Sequence, residues 1–247
     1  MKRKRYTHNE IAQVLKQKDA FVTVYLVDPL AIRFLYIIAN YTSLTPNLIS
    51  LFAFMFGITS AVFFYWGHFL IGAMMYYLSF LFDCIDGKLA RLKGTKSELG
   101  FFYDASTLTH AYVLSGVALH FLFIEENKTI AGLILMLFLL QLQKDAMTIA
   151  LKSIIPTKGS IYERYEGSIK SQKNASLLIR IYSKSIGRAS LVPREIDLEF
   201  ITILSFACSK YISLFLLSLW VLYELLFILA QFFISTKMIK RMRGTSE

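Results

Sequence analysis

Charged residues are scarce in this 247-residue chain, at 18% of the total. An ordinary soluble domain carries about 25%, so the chain falls outside that class. Cysteine is nearly absent, with 2 residues, which excludes a disulfide-stapled scaffold. Glycine (12) and proline (4) are too few for a collagen-like or low-complexity disordered chain. What is abundant is apolar: 55% of residues, with aromatics at 15% and a mean hydropathy of +0.51. These residues run in long blocks instead of alternating or marking one face. The composition predicts an all-α integral membrane protein that crosses the bilayer several times.

A spanning helix needs about 20 mainly apolar residues. Leu48 to Gly67 meets this without a charge, and His68 to Phe82 continues apolar before a polar stretch, Asp83 to Arg91. Phe101 to Ile124 and Thr129 to Leu151 give a third and a fourth span. The last block, Phe200 to Thr236, is too long for one span, and Cys208-Ser209-Lys210 is its expected turn. The expectation is six transmembrane helices within residues 45–247, with a polar, basic link at about 153–197. In that link Leu177, Leu178, Ile179 and Ile181 suggest a surface helix.

Basic residues orient the bundle. They crowd the N-terminus (Lys2, Arg3, Lys4, Arg5), the link after span two (Lys88, Arg91, Lys93, Lys96), the long link and the tail (Lys237, Lys240, Arg241, Arg243). The short turns of the other face hold only Lys128 and Lys210. The positive-inside rule then places both termini and both links in the cytoplasm. The net charge of +10 is mainly this topology signal plus attraction to anionic membrane lipids. No nucleic-acid partner is expected, because the bases are spread over loops. No apolar run follows Lys2 to Arg5, so no secretory signal peptide is expected there. Residues 1–44 read as a cytoplasmic N-terminus with an amphipathic helix, Glu10 to Tyr41, lying along the inner leaflet.

Carboxylates at the end of a membrane helix are costly and point to function. Asp83, Asp86, Gly87 and Ala90 fall at i, i+3, i+4 and i+7, one helix face, with Arg91 beside it. Gly100 and Asp104 share a face on span three. Antiparallel packing would join three carboxylates at the cytoplasmic boundary. Such hard oxygen ligands favour Mg²⁺ or Mn²⁺ over zinc. Small residues beside them leave room for a ligand, and the Arg91 fork suits a phosphate. The combination suggests phosphoryl transfer.

Asp83-Cys84-Ile85-Asp86-Gly87-Lys88-Leu89-Ala90-Arg91, then Gly100 and Asp104, resembles the signature of the CDP-alcohol phosphotransferases, D-x2-D-G-x2-A-R-x8-G-x3-D-x3-D. Six spans, an interfacial N-terminal helix and the Thr45-Pro46-Asn47 start of span one resemble that family too. The resemblance implies transfer of a substituted phosphate from a CDP-linked alcohol, often CDP-diacylglycerol, to an acceptor alcohol, with release of CMP. It implies two metal ions held by Asp83, Asp86 and Asp104, with Asp104 as the remaining catalytic carboxylate. Asp83, Gly87, Ala90, Arg91 and Gly100 would line the cytidine diphosphate. Partners implied are the CDP-lipid donor, a small-molecule acceptor, membrane lipids and a second copy of the chain as a homodimer.

The last aspartate of the signature is missing. Position 108 is Leu, which neither binds metal nor takes a proton. Three readings stay open: an active enzyme that does without this base, a site that binds without turnover, or a substitution introduced to trap a complex. His110 lies about 240° round the helix from Asp104 and reads as a packing histidine. Thr107, one turn from Asp104, could hold a water or contact the acceptor. Lys144, Arg188 and Arg194 are further acceptor candidates, although snorkelling and inside-positive bias explain them equally well. Lys144 could also pair with Asp145, and Glu224 could bridge helices. Cys84 reads as a buried thiol, since no second Cys or His matches zinc spacing.

Overall fold

The computed structural model describes residues 5–95, 105–154, 185–190 and 194–243, with side chains except at 105–110, 148–154, 185–186, 234–235 and 237–243. It is helical, apart from one two-stranded hairpin. The first helix, α1 (His8–Gln13), starts at a reciprocal cap. The Thr7 hydroxyl accepts from the Glu10 amide, and the Glu10 carboxylate accepts from the Thr7 amide at 2.8 Å. A π-helical turn, Thr23–Val27, then runs straight into α2 (Asp28–Tyr41), with Pro29 in its first turn, where a missing N–H costs nothing. The mixed stretch Glu10 to Tyr41 is therefore two helices and not one. Between them Asp19 is drawn into backbone pairing with the hairpin.

The apolar blocks became helices close to where the sequence placed them. They are α3 (Pro46–Tyr65), α4 (Phe69–Lys93), α5 (Ala105–Phe123) and α6 (Lys128–Ile154). After strands β1 (Ser185–Ile186) and β2 (Ala189–Ser190) come α7 (Glu195–Ser205) and α8 (Lys210–Arg243). The polar stretch after Phe82 does not interrupt α4, which continues to Gly94 at φ 68°. Glycine adopts that left-handed conformation without a Cβ clash. The break in the last apolar block falls at 206–209, as expected. Helix α7, however, has only 11 residues, about 16 Å at 1.5 Å per residue, short of a full crossing by itself.

Five helical stretches are long and apolar enough to cross a membrane: Thr23–Tyr41, Pro46–Tyr65, Phe69–Lys93, Lys128–Met147 and Lys210–Phe233. Ala111–Phe123 is a shorter apolar helix. Thr23–Tyr41 has a buried and an exposed face. Ala31, Leu35 and Ile38 are buried, whereas Phe34, Ile37 and Tyr41 on the other side are exposed. Exposed Leu51, Met55, Leu139 and Phe215 on the other helices form the apolar exterior that lipid requires.

Helix contacts inside a bilayer rely on close packing and polar bridges. A Cβ on Gly116 of α5 would come within 2.3 Å of the Ala61 carbonyl oxygen of α3, so only glycine permits this approach. The Ser60 hydroxyl donates to the Gly72 carbonyl and the Ser79 hydroxyl to the Ala53 carbonyl, both at 2.7 Å. These bonds fasten α3 to α4. At the end remote from Asp83, Phe64, Phe69, Phe121 and Phe206 stack into an aromatic plug. The surface helix expected around Leu177 to Ile181 lies outside the described residues.

Candidate active site

The site is built on the last three turns of α4. Arg91 and Lys93 in its final turn favour the negative end of the helix dipole. Lys93 also donates to the Leu44 carbonyl at 2.9 Å, tying the end of α4 to the start of α3. Asp83, Asp86, Gly87 and Ala90 share one stripe and are all half-buried. Asp86 is oriented from α3: the Ser50 hydroxyl donates to its Oδ2 at 2.5 Å. Ser50 is one of the residues that sequence reasoning missed.

Arg91 is held as well as placed. Its Nε donates to the Val14 carbonyl, just after α1, at 2.9 Å. A Cβ added to Gly87 would lie 3.6 Å from Arg91 Nη1, so glycine keeps the space in front of the guanidinium open. Beside it is a cleft of about 410 Å³ lined by Gln13, Val14, Leu15, Lys16, Arg91 and Gly94. Two cations and an open rim suit an anionic ligand.

Gly100 and Asp104 lie outside the described residues, as do the side chains of Thr107, Leu108 and His110 on α5. The meeting of Asp104 with Asp83 and Asp86 is thus not among the described contacts. Among the described residues no three His, Cys, Asp or Glu side chains gather closely enough to hold a metal. The described donors at Asp83, Asp86 and Ser50 are all oxygen, a set suited to Mg²⁺ or Mn²⁺. Cys84 is a half-buried free thiol.

Of the expected acceptor cations, Lys144 and Arg188 make ion pairs with carboxylates. Lys144 pairs with Glu224 at 3.3 Å and with Glu195, joining α6, α7 and α8. Trp220 Nε1 donates to the same Glu224 at 3.4 Å. Asp145 is exposed and is not the partner. Arg188, in the turn of the hairpin, pairs with Asp28 at 2.5 Å and donates to the Lys16 carbonyl. Arg194 is half-buried at the start of α7, where its amide donates to Asp197 Oδ2 at 2.8 Å. Asp28 also receives Lys88 at 2.9 Å, a buried contact that the sequence did not reveal.

The aspartates, Arg91 and the cleft gather at one end of α4. The family described as CDP-alcohol phosphatidyltransferase matches residues 43–183, more than half of the chain, including every signature position. The chain belongs to this family. No curated protein matches it. Among solved structures, it is similar to the Mycobacterium tuberculosis phosphatidylinositol phosphate synthase PgsA1 with CDP-DAG bound. That likeness has a TM-score of 0.54 at 15% identity and covers 85% of this chain and 93% of the other. At this identity it establishes the fold. A CDP-alcohol phosphatidyltransferase is a membrane transferase of phospholipid biosynthesis, and the apolar helices described above suit that setting.

Proposed function

We propose that this CDP-alcohol phosphatidyltransferase moves a phosphatidyl group from CDP-diacylglycerol to the hydroxyl of a small acceptor, releasing CMP. The observation that carries the reading is the Asp83–Asp86–Gly87–Ala90–Arg91 stripe, at family spacing, on a helix of the matched segment. Both termini and the site face the cytoplasm in this reading, following the basic residues. The donor enters sideways between helices and the acceptor arrives from the cytosol. A homodimer follows from family resemblance alone.

Asp83 and Asp86, with Asp104, would hold two divalent ions, Mg²⁺ or Mn²⁺. When bound, such ions neutralise the diphosphate and make CMP a better leaving group. Arg91 and the space at Gly87, Ala90 and Gly100 hold the cytidine diphosphate in place. The acceptor oxygen bonds to the phosphorus farther from cytidine, and the bond from that phosphorus to the bridging oxygen breaks. CMP departs with the bridging oxygen and the electron pair. Leu108 cannot take the acceptor proton. The acceptor is therefore already ionised, or it passes its proton to another group, with Asp104 and Thr107 the nearest candidates in sequence.

Leu108 also favours a second reading, a member that binds CDP-lipid without turning it over. Incubating the purified protein with CDP-diacylglycerol, Mg²⁺ and a small-molecule extract of the source cells separates the two. The transferase reading expects CMP and a new phospholipid in equal amounts, and Leu108→Asp that does not raise the rate. Activity that emerges only in Leu108→Asp would establish the binding protein instead.

A further inference from the structure

Helix α4 is gripped along two opposite stripes. From α3, Ser50 holds Asp86 and the Ala53 carbonyl accepts from Ser79. The other grip comes entirely from residues 14–28. The Tyr77 hydroxyl donates to the Leu26 carbonyl, Lys88 pairs with Asp28, and Arg91 donates to the Val14 carbonyl, each at 2.9 Å. Residues 77, 88 and 91 fall within about 60° of one another round the helix and lie about 160° from the α3 stripe. Asp86 itself belongs to the α3 stripe and Asp83 lies about 60° beside it, so rotation of α4 would move both carboxylates.

Asp28 is the charged centre of the second grip and is only 2% exposed. One oxygen takes Lys88, which also donates to the Cys84 carbonyl one turn earlier at 3.1 Å. The other takes Arg188. The hairpin carrying Arg188 pairs with Asp19 through two backbone bonds, and Asp197 at the start of α7 accepts from the Val22 amide at 2.7 Å. The gripping segment is thus braced from outside by the long link. An aspartate with two cations, buried for no evident gain in packing, is a costly way to fasten helices. Its return is a fixed azimuth for the signature.

We propose that Asp28 is a positioning residue for the transfer: through Lys88 it sets the rotation of α4, and through Arg188 the cytoplasmic link locks that setting. The proposal rests on the transferase reading, because it supposes that Asp83 and Asp86 hold metal. Full-length protein in lipid nanodiscs provides the test, with Mn²⁺ alone as probe and loss of the free-ion electron paramagnetic resonance signal as readout. The double variant Asp28→Asn with Lys88→Met removes the pair without stranding a lysine. We expect it to bind Mn²⁺ about tenfold more weakly, with the metal needed for half-maximal CMP release rising in parallel. A merely structural role would lower the amount of active protein without moving that half-saturation point. In a Cys208→Ser background, Cys84 should react faster with a maleimide.

Unchanged Mn²⁺ affinity in a folded double variant overturns the proposal, whatever happens at Cys84. Should that variant fail to fold, Arg188→Gln trims only the half-exposed side of the grip and carries the test. A smaller shift in the same direction supports the proposal, and no shift overturns it. Failure of the underlying reading is distinguishable, because there the parent protein itself binds no Mn²⁺ or, if it binds the ion, releases no CMP.

Discussion

A largely buried lysine near the end of a membrane span needs counter-charges, because an isolated ammonium is expensive there. Lys144 finds two carboxylates, Glu224, whose side chain is fully buried, and Glu195. Lys144→Met leaves both acids without their cation and should cost about 3–5 kcal/mol. Adding Glu224→Leu should recover part of that loss. Denaturant unfolding in detergent measures both, and equal stability of the two variants would contradict the pairing. The sequence showed Lys144 and Glu224 separately but not together. Its local candidate, Asp145, is the next residue, about 100° round the helix, and so faces another way. The same limit applies at the site. Asp83, Asp86 and Gly87 were legible because i, i+3 and i+4 positions share a face without any knowledge of the fold. Ser50 reaches that face and Asp28 the opposite side of α4, both from other helices, and no local spacing announces them.

Among the elements, the long apolar blocks gave good helix boundaries, since a helix of this composition has no other way to satisfy its backbone in lipid. Amphipathic pieces were harder to delimit. Thr23–Tyr41 buries one face on α4, and its start depends on the hairpin pairing at Asp19, a long-range contact. Helix α7 begins five residues before Phe200, the expected start of the block. Its first turn is polar, and Asp197 is spent on the Arg194 and Val22 amides. Helix–helix distance is likewise a property of pairs. Gly116 sits against the Ala61 carbonyl, so Gly116→Ala must push α5 from α3 at a cost of about 1–3 kcal/mol. Thermal unfolding in detergent should show a lowered midpoint, whereas an unchanged midpoint would mean that the helices separate freely.

For the whole molecule, the site end gathers Asp83, Asp86, Arg91, the Asp28 grip and the cleft beside α1. The opposite end is closed by stacked aromatics and by Lys210 paired with Glu125 at 3.4 Å. That polarity matches the distribution of basic residues along the chain. If the site end faces the cytoplasm, exposed Cys208, in the turn before α8, faces the other side. A membrane-impermeant maleimide applied to intact cells should then label Cys208; labelling only after lysis would reverse the orientation. The most direct measurement of the central claim is CMP release from CDP-diacylglycerol by the purified protein, with Mg²⁺ or EDTA, beside folded Asp86→Asn. The signature reading predicts release with Mg²⁺ and the extract, none with EDTA, and a drop of about 100-fold or more in Asp86→Asn. Full activity in Asp86→Asn would contradict it.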